Sequence, residues 1–177
     1  MNESHAQLDA VPGALTAYVV DDFTAVYTQH YRRLVVALCL SGAPLATAEE
    51  IAQEAFVRTF SSWPRIRVGP NPPGYLYRSA FRLWRRTKQR DKRRDRESQS
   101  APATGDPGSE ATTRVAIQNA FAALPAKTRT CAALALQSGL DTAEIARILR
   151  IKPATVRVHV HNARIALRVA LSDQPTN

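Results

Sequence analysis

Aromatic side chains stand among arginine and lysine in residues 74–96, GYLYRSAFRLWRRTKQRDKRRDR. Basic side chains neutralise the phosphates of a nucleic acid, and aromatic rings can stack on unpaired bases. A solvated surface helix needs the charges but not the rings, whereas a core helix needs the rings but not the charges. The combination indicates a helix that binds nucleic acid. For any one ring among Tyr75, Tyr77, Phe81 and Trp84, core packing is the expected role.

A helix-turn-helix pattern follows in residues 140–167, LDTAEIARILRIKPATVRVHVHNARIAL. Asp141 is followed three residues later by Glu144, as in a capping box, and Pro153 suits the first position of the last helix. The apolar residues recur every three or four positions, which buries one face of each helix against the other. The outward face of the second helix suits the DNA major groove and carries Thr155, Arg157, Val158, His159, His161, Asn162 and Arg164. A solvated helical hairpin is the alternative.

An acidic stripe lies on an earlier predicted helix, residues 48–63, for which Thr47 is the expected N-cap and Pro64 the expected stop. Its polar face carries Glu49, Glu50, Gln53 and Glu54. Residues 1–57 hold seven acidic side chains and two basic ones, whereas residues 58–96 hold thirteen basic side chains and two acidic ones. The chain thus has an acidic part and, further on, basic parts.

The overall balance of charge restricts the partners. The formal net charge is +9, and the sequence pI is about 10.2, which favours a polyanion: nucleic acid or an acidic membrane surface. The longest apolar run, LVVALCL at 34–40, is too short to cross a bilayer, and the start does not resemble a signal peptide, so we expect a cytoplasmic protein. The two cysteines form no CxxC pair.

Catalytic and metal-binding patterns are missing from the sequence. There is no glycine-rich phosphate loop, no nucleophile motif and no plausible carboxylate pair, so an enzyme is not expected and no catalytic residue is named. His159 and His161 are two residues apart on a helix and do not converge on a metal. We therefore expect no metal and no cofactor.

The predicted fold is all-α, with two small helical bundles joined by a flexible linker. Helices are expected at 19–41, 48–63, 73–93, 115–124, 126–137, 141–150 and 153–171, with 64–74 irregular because it holds four prolines and two glycines. The expected divisions are a disordered tail at 1–17, a first domain at 18–96, a disordered linker at 97–111, a second domain at 112–171 and a tail at 172–177.

The order of these segments resembles that of bacterial RNA polymerase sigma factors of the extracytoplasmic-function type, which have sigma regions 2 and 4 only. The resemblance rests on FTAVYTQHYRRLVVALCL, ATAEEIAQEAFVRTFSSWPRI, NPPGYLYRSAFRLWRR and AFAALPAKTRTCAALALQSGLDTAEIARILRIKPATVRVHVHNARIAL, and covers about residues 20–170. It implies a promoter-specificity subunit whose partners are core RNA polymerase and promoter DNA. Many members are held inactive by an anti-sigma factor, which the resemblance adds as a partner. No membrane partner is expected.

The resemblance also assigns roles. The 49–54 stripe would bind core polymerase, and the helix 153–169 would read the −35 element. The −10 element would meet the loop 64–74 and the following helix, through Arg65, Arg67, Tyr75, Arg78, Arg82, Arg85 and Arg86. The chain departs from the family pattern in having Arg82 for Asn, Arg86 for Asp, Lys152 for Ser and Arg150 for Gly, so Arg150 is expected in a left-handed conformation.

One alternative remains within transcription. A stand-alone helix-turn-helix regulator would carry the same second domain and act as a dimer without polymerase. It would need neither the acidic stripe nor the arginine-aromatic helix, so association with core polymerase separates the two interpretations.

Overall fold

The computed structural model describes residues 12–97 and 111–172, and every regular element among them is a helix. The helices are α1 (Pro12–Leu40), α2 (Leu45–Ser61), α3 (Trp63–Ile66), α4 (Pro72–Glu97), α5 (Ala111–Ala123), α6 (Ala126–Gln137), α7 (Thr142–Leu149) and α8 (Pro153–Ser172). The all-α prediction is confirmed. The predicted linker lies outside the described residues between 98 and 110, and the ends of both predicted tails lie outside them as well.

Several predicted boundaries were wrong. The helix α1 begins at Pro12, so residues 12–17, which were expected to belong to a disordered tail, are helical. The helix α2 begins at Leu45, because the Pro44 carbonyl already accepts the first helical hydrogen bond, from the N–H of Ala48 at 2.9 Å; Thr47 is therefore not the N-cap. Similarly, α4 starts at Pro72 and runs on to Glu97, beyond the expected 73–93.

Proline does not end α2. That helix stops at Ser61, and Pro64 lies in the first turn of α3, where its missing N–H has no helical partner to lose. The segment expected to be irregular is thus helical in part. Asn71 caps α4, since its Oδ1 accepts a hydrogen bond from the Gly74 N–H at 2.7 Å. A Cβ at Gly74 would lie 2.6 Å from the Asn71 Nδ2, so a larger residue there would displace the capping side chain.

The first bundle packs α1, α2 and α4 around a core closed by small residues of α2. Ala48, Ala52 and Ala55 are fully buried and let the neighbouring helices approach closely. Tyr77 is fully buried, and its ring meets His30 edge-on at a centroid distance of 5.9 Å. The second bundle packs α8 against α5, α6 and α7.

The two bundles pack against each other, although the sequence suggested independent units. Ile145 and Ile148 of α7 belong to the same apolar cluster as Leu34 of α1 and Tyr77 of α4. A second cluster joins Leu40 of α1 to residues of α5 and α8. We refer to the contact between α4 and α7 as the seam.

Candidate polymerase and nucleic-acid interfaces

The acidic stripe of α2 lies on the solvent side of the first bundle. The side chains of Glu49, Glu50, Gln53 and Glu54 are all exposed. Glu54 forms an ion pair with the Arg58 Nε at 2.6 Å. Such an exposed i,i+4 pair contributes only about 0.3–0.5 kcal/mol, so both groups remain available to a partner.

Two apolar side chains that sequence reasoning missed lie further along α2. Val57 is 61% exposed and Phe60 is 48% exposed. One edge of Phe60 still packs against Phe23, with ring centroids 4.9 Å apart. The exposed surface of α2 is therefore acidic at its start and apolar toward its end, which suits a protein partner better than DNA.

Most aromatic residues of α4 belong to the core. Tyr77, Phe81 and Trp84 are 0%, 4% and 7% exposed, which confirms core packing as their role. Tyr75 is half-buried, and its hydroxyl lies 3.4 Å from the Ser62 Oγ, where it joins α4 to the start of α3. Burial raises the pKa of Tyr77, whose hydroxyl has no hydrogen-bond partner among the described residues.

The basic residues predicted for the −10 element occupy other faces of α3 and α4. Arg65, Arg78, Arg82 and Arg86 are exposed. Arg67 is half-buried and pairs with the Asp22 carboxylate at 3.3 Å. Arg85 is also half-buried because α7 packs nearby; desolvation lowers its pKa, as do the charges of Arg150 and Arg82.

The second helix of the helix-turn-helix is α8. Its inward residues Val156 and Ala163 are 1% exposed, while the outward side exposes Arg157, Val158, His161, Asn162 and Arg164. Two predicted members of that face, Thr155 and His159, are half-buried. The His159 Nδ1 forms a 2.9 Å hydrogen bond with the Thr128 Oγ1 of α6, so His159 also fixes α8 to its neighbour.

Both ends of α7 have the predicted geometry. The Asp141 carboxylate accepts a hydrogen bond from the Glu144 N–H at 2.7 Å, and the Glu144 carboxylate accepts one from the Asp141 N–H at 2.8 Å, which completes the capping box. Arg150 adopts φ 58° and ψ 48°, which confirms the left-handed conformation. The N–H of Ile151 donates to the Ala146 carbonyl at 3.1 Å and closes the end of α7.

The described residues contain no cluster of three metal-ligating side chains. Within the same residues, no helix combines the length and hydropathy needed to cross a bilayer. Both cysteines there are free thiols, and burial raises the pKa of Cys131 to about 11.

Comparison with known proteins agrees with this arrangement. The model of Sigma-70 region 2 matches residues 27–94, and that of Sigma-70 region 4 matches residues 114–167; together they cover about two thirds of the chain. A solved structure, the sigma factor RpoE in complex with the anti-sigma factor NepR from Bartonella quintana, shares the fold with a TM-score of 0.72. It is 17% identical, and the alignment covers 87% of this chain and 99% of that one.

A stand-alone helix-turn-helix regulator has no use for a region 2 domain, so that alternative is not supported. The chain belongs to the sigma-70 family of RNA polymerase sigma factors, in its extracytoplasmic-function type with regions 2 and 4, and it binds core RNA polymerase and directs it to promoters.

Proposed function

We propose that three surfaces of this chain divide the work of promoter selection. The acidic and apolar face of α2 binds core polymerase, α3 and the first half of α4 bind the −10 element, and α8 binds the −35 element. The observation that carries the proposal is the separation of charge: Glu49, Glu50 and Glu54 share one exposed face, whereas the exposed faces of α4 and α8 are basic.

Docking through α2 requires a partner with a complementary basic surface. Charge complementarity steers encounter and fixes orientation, and the exposed Val57 and Phe60 supply apolar area that charges alone lack. The polymerase surface expected by resemblance is a basic coiled coil.

The arginines of α4 fit a role on the DNA backbone, because Arg78, Arg82 and Arg86 are exposed with no ion pair among the described side chains. On α8, Arg157 and Asn162 supply groups that can read guanine and adenine edges, and Val158 supplies methyl groups for thymine. His159 would act mainly by holding α8 through Thr128.

The packed arrangement must open during initiation. A compact chain of 177 residues has a radius of gyration of about 16 Å and spans about 40 Å. The two promoter elements lie roughly one and a half helical turns, about 50–60 Å, apart. To bind both elements, the two bundles would therefore separate both at the seam and where α1 packs against α5 and α6.

The proposal also includes a regulatory partner and the compartment in which the chain works. Because the similar RpoE structure is a complex with an anti-sigma factor, we propose an anti-sigma factor as a regulator of this chain. Since core polymerase is cytoplasmic, the chain would work there, as a specificity subunit without catalysis of its own.

The test is a pull-down of bacterial core polymerase together with transcription from genomic fragments, with the transcript starts mapped. Glu54→Arg should reduce recovery of core polymerase at least about tenfold, because it places a like charge against the basic partner surface. Asp91→Arg makes the same change of two charge units on α4, away from the docking face, and should retain recovery. If Glu54→Arg recovers core polymerase as well as wild type does, the assignment of α2 is wrong.

A further inference from the structure

Arginine side chains from both bundles meet in one cavity at the seam. The cavity has a volume of about 270 Å³. Apart from Ile148 of α7, its lining consists of Arg78, Arg82 and Arg85 of α4 and Arg147 and Arg150 at the end of α7. The resemblance to sigma factors assigned no role to Arg147 or Arg150.

These five arginines lack a counter-charge among the described side chains. The ion pairs found there are Glu54 with Arg58 and Asp22 with Arg67, and neither involves the cavity. The cluster is close enough for its members to act on one another, since Arg150 and Arg82 both lower the pKa of Arg85, after the larger effect of desolvation. Like charges held close together repel, and a bound anion would relieve that repulsion.

The position of Arg150 adds a second reason to expect a ligand. Its backbone is left-handed at φ 58°, a conformation that costs an ordinary side chain free energy and usually selects glycine. Strained residues of this kind concentrate at binding and switching sites. Arginine here carries a backbone penalty and also places a fifth positive charge in the cavity.

We propose that this five-arginine cavity binds the polyphosphate group of a small molecule, so that one ligand bridges α4 and α7. The planar guanidinium group donates two parallel hydrogen bonds to phosphate oxygens, and five such groups match a chain of phosphates better than a single anion. Packed helix axes lie about 8–10 Å apart, so the seam excludes a DNA duplex but not a linear polyphosphate.

The ligand has a consequence for transcription that rests on the proposed function. A bound polyphosphate occupies Arg78, Arg82 and Arg85, which the −10 contact also requires. It binds the packed arrangement and not the separated one, and therefore favours packing by mass action. The chain would then be held away from promoters until the ligand leaves.

Isothermal titration calorimetry on the full chain tests the site, in buffer without Mg²⁺ and at fixed ionic strength. We expect one equivalent of inorganic tripolyphosphate to bind at least about tenfold more tightly than sulfate. The same titration is repeated with ATP. If ATP binds as tightly as tripolyphosphate, the site recognises the phosphates alone. If ATP binds more tightly, the polyphosphate group is that of a nucleotide. Tripolyphosphate binding no tighter than sulfate, or ATP binding without tripolyphosphate binding, overturns the proposal.

Variants separate the cavity from general positive charge. Arg147→Gln with Arg150→Gln should weaken tripolyphosphate binding at least about tenfold, because two charge-assisted contacts are lost. The matched control, Arg93→Gln with Arg94→Gln, removes the same charge from exposed positions of α4 and should stay within about twofold of wild type. An equal loss in both variants overturns the site in favour of nonspecific attraction.

A charge-conserving variant protects the test against misfolding. Arg147→Lys with Arg150→Lys keeps the charge but removes the guanidinium forks, and should weaken binding about threefold or more. Unchanged affinity in this variant overturns the proposal, whether or not the Gln variant folds. Because binding is measured without polymerase or DNA, a chain that binds tripolyphosphate but fails to direct transcription refutes the proposed function and leaves the site. The converse result refutes the site alone.

Discussion

Replacing Arg150 with glycine should stabilise the protein. Arg150 holds φ 58°, and the left-handed conformation costs a residue with a Cβ about 1–2 kcal/mol. Glycine removes that strain but loses about 0.5–1 kcal/mol through its greater freedom in the unfolded chain. The expected net gain is about 1 kcal/mol, or about 2–4 °C in Tm for a chain of this length.

Two further substitutions isolate the backbone contribution. Arg150→Ala removes the same charge from the seam and keeps the strain, so the difference between the Gly and Ala variants measures conformation alone. Gly139→Ala is the inverse experiment: Gly139 has φ +71° and open space around its Cβ position, so alanine there should cost about 1 kcal/mol with no steric contribution.

The measurement is urea unfolding of each full-length variant, followed by circular dichroism. The reasoning is refuted if Arg150→Gly is no more stable than Arg150→Ala, or if Gly139→Ala unfolds at the same urea concentration as wild type. The first result would mean that the end of α7 relaxes away from its left-handed geometry, and the second that the turn between α6 and α7 does so at Gly139.

Three other changes test the core and the seam. Tyr77→Phe should leave the free energy of unfolding unchanged or raise it by about 1 kcal/mol in urea unfolding, because the buried hydroxyl has no described partner; a clear loss would reveal one. Burial, followed by the charge of Arg33, lowers the pKa of His30, so the unfolded chain binds the proton more readily and stability should fall as pH drops through about 6.5. His30→Leu should flatten that slope in unfolding series from pH 7.5 to 5.5, and an unchanged slope would assign it to other groups. Ile148→Asp should open the seam and raise the radius of gyration measured by small-angle X-ray scattering; a compact variant would show that other contacts hold the bundles together.

The features that the sequence predicted correctly depend on interactions among a few neighbouring residues. The capping box of Asp141 and Glu144 needs only its own turn, and the left-handed Arg150 follows from the need to end α7. The prediction for Pro64 was wrong, because the effect of a proline depends on its position in a helix. Pro64 lies in the first turn of α3 and does not end α2. Periodicity identified the inward stripe of α8 but could not decide His159, which borders it and faces Thr128.

The packing of the two bundles could not have been predicted from periodicity. The apolar residues at the seam, such as Ile148, fit the core of their own bundle equally well, since hydrophobic spacing shows that a face is buried but not what covers it. The five-arginine cavity depends on that packing and was hidden for the same reason. The basic residues of α4 and α7 are distant in sequence. Their charge indicated an anionic partner, but the sequence did not show that their side chains line one cavity.

The helical period of α4 explains why aromatic residues alternate with arginines in its sequence. Tyr77, Phe81 and Trp84 recur at four and three residues and face the core, while Arg78, Arg82 and Arg85 follow them by one position each, a rotation of about 100°. The rings anchor the helix, and the helix holds the arginines on a neighbouring face. A ring substitution that weakens promoter binding therefore reports a loosened helix and should also lower stability. An arginine substitution on the exposed face should weaken DNA binding while the free energy of unfolding stays nearly constant.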